Sequence, residues 1–309
     1  MIAGRGAEDE ERGSGDRAGA QRVSGVDATL AHHLHGGAER GAVLEPLEAA
    51  GARHRSPTQS SRESERRLVG IEGSFAIVVG GSRGLGADVC RALHEAGAQT
   101  VALSRDGADE STPWEQTLLD AADESAVERF FADRAGDLQG RNLLVNFAGN
   151  RYNVDLASSD PTEWRACVES SLLTTYLMLR GLARACGGRP GSVVNMASMH
   201  AYAAASGRSA YAAAKAAVAQ LTSVAAVELA PSIRVNCVAP GFIATETSNA
   251  MIDAGHLDSL GIVRRTPLAR LGHVEDVTNA VMFLLSDESA FMTGETIKVD
   301  GGWLSHAEV

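Results

Sequence analysis

Lysine is almost absent from this 309-residue chain: Lys215 and Lys298 are the only two, and arginine supplies the rest of the 28 basic residues. Against 39 acidic residues this leaves a formal net charge of −11, without the basic footprint that nucleic acid or an anionic membrane surface needs in a main partner. Cysteine is sparse as well. Cys90, Cys167, Cys186 and Cys237 stand far apart with no Cys-x-x-Cys spacing, which signals neither a disulfide framework nor a zinc site and points to a reducing, cytoplasmic compartment. No apolar run approaches the roughly 20 residues of a membrane helix, and the N-terminus lacks the apolar core of a signal peptide. The acidic cluster Glu8, Asp9, Glu10 and Glu11 disfavours an organelle transit peptide. A small-molecule partner remains.

What is present divides near residue 70. Residues 1–70 are rich in Gly, Arg, Ala, Ser and acids, with no sustained period of 2 or 3.6, and are expected to form a disordered extension. Short helical turns around 28–35 and 44–52 have too little apolar surface to fold alone. His32, His33 and His35 have no Cys or acidic partner at ligand spacing, so they read as a solvated tail and no metal is expected.

From Phe75 the pattern changes to short apolar runs separated by amphipathic stretches. The runs lie at 75–79, 100–103, 117–119, 142–146, 192–196, 233–238 and 296–299, and the helical stretches near 84–96, 123–135, 162–185, 208–229 and 274–286. Residues 71–309 are therefore expected to form an α/β fold: a single doubly wound Rossmann-type domain, its parallel seven-stranded sheet covered by helices on both faces.

The first run leads into Gly80-Gly81-Ser82-Arg83-Gly84-Leu85-Gly86, with an amphipathic helix behind it. Glycines there let the backbone approach a pyrophosphate, whose charge is met by the N–H groups and dipole of the helix start. Their spacing of four and two differs from the common G-x-G-x-x-G fingerprint, but the physical task is the same. The end of the second strand distinguishes the two nicotinamide cofactors. NAD(H) calls for an acid facing the ribose, whereas NADP(H) calls for cations at the 2′-phosphate. Ser104 and Arg105 stand there, with Arg83 in reach, so NADP(H) is preferred over NAD(H). Asp106 keeps the alternative open.

After the fifth run come Asn195-Met196-Ala197-Ser198 and, thirteen residues beyond that serine, Tyr211-Ala212-Ala213-Ala214-Lys215. The spacing of four sets phenol and ammonium on one helical face. A phenol ordinarily titrates near pH 10. An ammonium beside it favours the phenolate and makes it a usable general acid or base toward a carbonyl oxygen. Ser198 can bond the same oxygen. One of only two lysines in the chain standing at this spacing argues against a chance pair.

These motifs resemble the short-chain dehydrogenase/reductase family over about residues 72–303, in its ketoacyl-carrier-protein-reductase-like branch. The residues that carry the likeness are Gly80, Gly84 and Gly86; Asp120; Asn146, Ala148 and Gly149; Ser198 with Tyr211 and Lys215; the turn NCVAPGFIAT at 236–245; and the stretch from Arg270 to Gly302. The resemblance implies that Asp120 and Ala121 lie near the adenine, and that Asn146 to Gly149 pass under it. Lys215 would hold the ribose as well as tune Tyr211, Pro240 and Gly241 would contact the nicotinamide, and Ile243 and Thr245 would fix its carboxamide. It also implies a homodimer or homotetramer built on the Tyr211 helix and the C-terminal strand.

Three positions depart from the family's pattern. Val79 replaces a threonine, Phe147 an asparagine, and Ser171 stands where a catalytic asparagine is usual. A register one residue off would put Ser170 or Leu172 there instead. The leading expectation is transfer of a hydride between NADP(H) and a carbonyl or secondary alcohol of a hydrophobic, cyclic or carrier-bound substrate. Met251, Ile252, Leu257, Leu260 and Ile262 would line its pocket or, at their helical spacing, belong to the core, and Arg264 and Arg265 would meet a carrier's phosphopantetheine or be solvated. The alternative is a non-redox isomerase, dehydratase or cyclase on the same fold, using Tyr211 as acid or base. A cofactor-sensing protein without turnover is disfavoured by the intact Ser198, Tyr211 and Lys215.

Overall fold

A computed structural model describes residues 68–105, 107 and 111–306. The expectations for residues 1–67, the histidine triplet among them, and for Asp106 lie outside the described residues, while Leu68 packs against the core and the Val69 carbonyl accepts from the N–H of Asp287 at 2.9 Å.

The strands are β1 (Phe75–Val79), β2 (Gln99–Ser104), β3 (Glu115–Leu118), β4 (Asn142–Asn146), β5 (Gly191–Met196), β6 (Ile233–Pro240) and β7 (Thr296–Val299). They form one sheet in the order β3-β2-β1-β4-β5-β6-β7, with every pairing parallel. All residues of β1, β4 and β5 are buried, which is why these segments read as continuous apolar runs rather than as alternation: both faces of a parallel sheet are covered.

Among the described residues the α-helices are α1 (Gly84–Glu95), α2 (Glu124–Asp133), α3 (Pro161–Val168), α4 (Thr174–Cys186), α5 (Ser209–Leu229), α6 (Glu246–Asp253), α7 (Ser259–Arg265) and α8 (Val274–Leu285). On one face Ala76, Val78, Leu143, Val145 and Val194 pack with Val89 and Leu93 of α1 and Val281 and Leu285 of α8. On the other, Ile77, Leu144, Val193 and Val235 pack with Phe131 of α2, Met178 and Leu182 of α4 and Ala226 of α5. Alternate residues of β1 enter opposite clusters, as the period of two requires.

Four local features differ from the sequence expectation. The third strand runs over Glu115–Leu118, earlier than expected, because it is a half-exposed edge with little apolar signal. The single helix expected over 162–185 is divided by a π-helical turn, Glu169–Leu173. Its start is signalled clearly: Asp160 Oδ1 accepts from the N–H groups of Thr162 and Glu163 at 2.8 and 3.1 Å, and Pro161 occupies the first helical position. α6 and α7 occupy the stretch from Ala244 to Leu268, which was not among the expected helical stretches. Finally, α5 is long and apolar enough by length and composition to cross a membrane, which a search for unbroken apolar runs passes over. Here Ala225 and Ala226 of α5 enter the sheet's core.

The strand order reverses at β1, with β2 on one side and β4 on the other. Connections leave the two halves in opposite directions, opening a crevice at the carboxyl ends of the strands. Register pairs Val79 with Asn146, so the glycine loop and the segment after β4 emerge side by side.

Candidate active site

A cleft of about 570 Å³ lies at those carboxyl ends. One wall is the glycine loop. A Cβ on Gly86 would overlap the carbonyl of Gly80, so only glycine lets loop and helix meet backbone to backbone. No side chain caps the first turn of α1 and no acid lies in it, which leaves its N–H groups and positive dipole end facing the cleft. Those features fit the pyrophosphate of a dinucleotide. Arg83 and Arg105 are both exposed on the same wall, and Arg105 Nη2 lies 3.4 Å from Asn150 Oδ1.

The opposite wall is built from the end of β5 and the start of α5. Ser198 follows β5, and its Oγ accepts from the N–H of His200 at 3.2 Å. Tyr211 sits in the first turn of α5 and Lys215 one turn on. The Lys215 Nζ is 5.8 Å from the centre of the Tyr211 ring. Lys215 is only 4% exposed, and Nζ donates to the carbonyls of Met196 at 2.9 Å and Ala148 at 3.5 Å. Carbonyl partners orient the ammonium without neutralising it, so its field falls on the phenol. The His200 ring meets Tyr211 edge-on at 6.1 Å. Burial, then the guanidiniums of Arg208 and Arg151, push its imidazole below the usual histidine range, so it is neutral at pH 7.

Of the residues singled out from sequence, Gly80, Ser82, Arg83, Gly84, Leu85, Gly86, Ser104, Arg105, Asp120, Ala121, Ala148, Gly149, Ser198, Tyr211, Lys215, Pro240, Gly241, Ile243 and Thr245 all line this cleft. Asn146 and Ser171 stand behind its wall. Asn146 Nδ2 donates to Asn195 Oδ1 at 2.7 Å, and Asn195 Nδ2 to Thr222 Oγ1 at 2.9 Å, a buried chain joining β4, β5 and α5. Asn146 thus braces the floor of the cleft.

Ser171 lies in the π-helical turn, is fully buried, and its Oγ has no hydrogen-bond partner among the described residues. A Cβ on Gly149 would fall 2.5 Å from that Oγ and 3.1 Å from Lys215 Nζ, so hydroxyl and ammonium converge on the space that glycine leaves open. Ser170, the neighbouring alternative, does line the cleft, its Oγ accepting from the N–H of Asn150 at 2.9 Å and donating to the carbonyl of Cys167 at 2.8 Å. A π turn shifts the face its side chains present, and such turns gather at functional sites.

The profile described as enoyl-(acyl carrier protein) reductase matches residues 79–304. The chain belongs to the short-chain dehydrogenase/reductase family. It is 33% identical over 242 residues to the 3-oxoacyl-acyl-carrier-protein reductase FabG of Escherichia coli (strain K12), covering 75% of this chain and 98% of that protein. Identity to the L-xylulose reductase of Bos taurus is 34% over 243 residues, covering 76% and 98%. Among solved structures, a gluconate 5-dehydrogenase from Burkholderia cenocepacia J2315 in complex with NADP and tartrate superposes with a TM-score of 0.72 at 30% identity, covering 78% of this chain and 98% of that one. The chain is therefore an oxidoreductase of the family's ketoreductase-like branch.

Within that family frame, part of the expected substrate pocket changes. Met251 and Leu257 line the cleft, whereas Ile252, Leu260 and Ile262 do not: Leu260 is 75% exposed and Ile262 is turned inward. Helical spacing alone did not distinguish the three environments. Arg265 stacks on Trp303 at 3.7 Å, and neither it nor Arg264 is among the residues lining the cleft. Phe147 faces the cleft at one of the departing positions. Sequence reading missed Arg151, His200 and Arg208, which also line it. The available signal was position: two residues after Gly149, two after Ser198 and three before Tyr211.

Proposed function

We propose that this oxidoreductase uses NADP(H) to interconvert a carbonyl and a secondary alcohol on a small substrate, with Tyr211 as the proton-transferring group. The observation that carries the reading is the convergence of Ser198, Tyr211 and Lys215 in one cleft with an uncapped helix start, the exposed Arg83 of the glycine loop and the exposed Arg105 at the end of β2. The NADP complex of the similar gluconate 5-dehydrogenase supports the cofactor, and the activity named for FabG supports the carbonyl substrate. The four cysteines, all free and buried, suit a reducing cytoplasm.

Gly80 to Gly86 and the first turn of α1 would hold the pyrophosphate, Arg83 and Arg105 the 2′-phosphate, and Pro240, Gly241, Ile243 and Thr245 the nicotinamide end. When bound, the cofactor supplies or takes up the hydride. Ser198 Oγ donates a hydrogen bond to the substrate oxygen and holds it before the phenol. Tyr211 gives its proton to that oxygen in reduction and recovers it in oxidation, and the Lys215 ammonium stabilises the phenolate left behind. The test is loss of NADPH absorbance against a panel of ketones. Retained NADPH binding with no consumption by any carbonyl would favour a non-redox acid–base enzyme instead.

Ser171 completes the set as a relay residue. A buried hydroxyl with no protein partner is a natural site for a bridging water, and its closeness to Lys215 would let such a water carry protons away from the ammonium. Ser171→Asn, which reaches further toward Lys215, is expected to keep its Tm and turn over at least as fast. Loss of kcat with unchanged NADPH affinity would instead give the serine hydroxyl a positive role.

The chain is further proposed to self-associate through α5 and the β7 region. Val224 and Val227 on α5 are 44% and 80% exposed, and Phe291, just before β7, is fully exposed. Val227→Glu is expected to weaken assembly by about 10- to 100-fold, because a two-fold interface meets each substitution twice. Light scattering coupled to size-exclusion chromatography would show the mass falling toward a single chain.

A further inference from the structure

Besides Arg83 and Arg105, assigned above to the 2′-phosphate, two further arginines line the cleft. Arg151 lies just beyond β4 and Arg208 immediately precedes α5, and both line the cleft with Ser198, His200 and Tyr211. Arg208 is half-buried. Burial and the facing Arg151 hold its guanidinium below the usual arginine range, while Tyr211 acts in the opposite sense. The same two arginines depress His200, so all these groups face one space.

Their partners are neutral. The Arg208 guanidinium donates to Asn153 Oδ1, an amide oxygen. Among the described residues neither arginine forms an ion pair. Asp155, the acid next in sequence, accepts from Ser206 Oγ at 2.8 Å. Two guanidiniums lining one cleft, one of them half out of water, repel each other, and an anion bound there would offset that repulsion. The 2′-phosphate reading already uses Arg83 of the glycine loop and Arg105 at the end of β2.

We propose that Arg208 and Arg151 form a substrate-anion subsite, so that the carbonyl or alcohol this enzyme handles carries a carboxylate or phosphate close to the reacting carbon. This rests on the redox reading above and deepens it. Closeness follows from the fold: Arg208 is three residues from Tyr211 at the same helix start, about 5 Å along the axis. A carrier-bound acyl chain bears its phosphate at the far end of the pantetheine arm, out of reach of a guanidinium beside the phenol. His200, neutral between the arginines, adds a ring nitrogen for hydrogen bonding without adding charge.

The test pairs anionic and neutral carbonyls of like frame with NADPH as reductant: levulinate against methyl levulinate, and dihydroxyacetone phosphate against dihydroxyacetone. One anion is expected to exceed its neutral partner by about 10- to 100-fold in kcat/KM, mainly through KM, since charge-assisted bonds are at stake. The preferred pair tells carboxylate from phosphate. In Arg208→Gln that ratio should collapse toward one with the Kd for NADPH retained, and Arg151→Gln should lower it in the same direction. Turnover with no anion preference, or a preference untouched by either substitution, would overturn the subsite and leave the redox reading standing. If no carbonyl is reduced, the redox reading fails by itself. The subsite is then decided by calorimetric titration of malonate and of inorganic phosphate into NADPH-saturated protein: binding that Arg208→Gln abolishes upholds it, and absent or unaltered binding overturns it.

Discussion

Replacing Tyr211 with phenylalanine is expected to lower kcat by about 10²- to 10⁴-fold, the range that a positioned proton donor contributes. The ring is kept, and with it the edge contact to His200 at 6.1 Å and the Lys215 ammonium 5.8 Å from the ring centre, so the wall of the cleft should stay intact. Only the hydroxyl is lost. NADPH binding, followed by the cofactor's fluorescence, should therefore change little while absorbance-monitored turnover falls. If kcat instead survived, the proton would have to come from another group at the same substrate oxygen. His200 is the candidate on geometry, since it stands two residues from Ser198 and faces Tyr211. His200→Ala combined with Tyr211→Phe would then silence what remained.

The second large effect concerns the cofactor. Arg83→Ala together with Arg105→Ala should weaken NADPH by about 10²- to 10⁴-fold, because each removes a charge-assisted contact to a dianion and each such contact accounts for roughly one to two decades. NADH, which has no 2′-phosphate, should be affected far less, so the preference should narrow or reverse. The measurement is the ratio of kcat/KM for the two cofactors with one ketone. Equal loss for both would mean that the arginines serve the pyrophosphate or the loop conformation. Unchanged kcat/KM with each cofactor would mean that both arginines are solvated surface residues.

Much of the site was legible because its parts are local. Tyr211 and Lys215 are one helical turn apart whatever surrounds them, and the glycines from Gly80 to Gly86 announce a tight strand-to-helix connection by themselves. β1, β4 and β5 showed as unbroken apolar runs because helices cover both of their faces. Legibility failed where the decisive partner is remote in sequence. Asn146 sits in a motif associated with the cofactor, yet its side chain is taken up by Asn195 and, through it, by Thr222 on α5. Leu260 and Ile262 share a short helix and a similar chemistry, but one faces outward and the other inward, which α7's packing decides. The π-helical turn left no mark either, since an added residue in one turn changes which face Ser170 and Ser171 present and not their composition.

By itself, then, the order of residues determined the alternation of strands and helices, the phosphate-suited loop, and the pairing of phenol with ammonium, each set by backbone geometry within a few residues. Only the tertiary structure decided which loops meet. The parallel register of β1, β4 and β5 brings Arg151 from beyond one strand, Ser198 and His200 from beyond another, and Arg208 and Tyr211 from the helix that follows into a single space. Two arginines 57 positions apart in the chain become neighbours without a counter-ion among the described residues, because sheet pairing, not sequence distance, sets what the cleft contains.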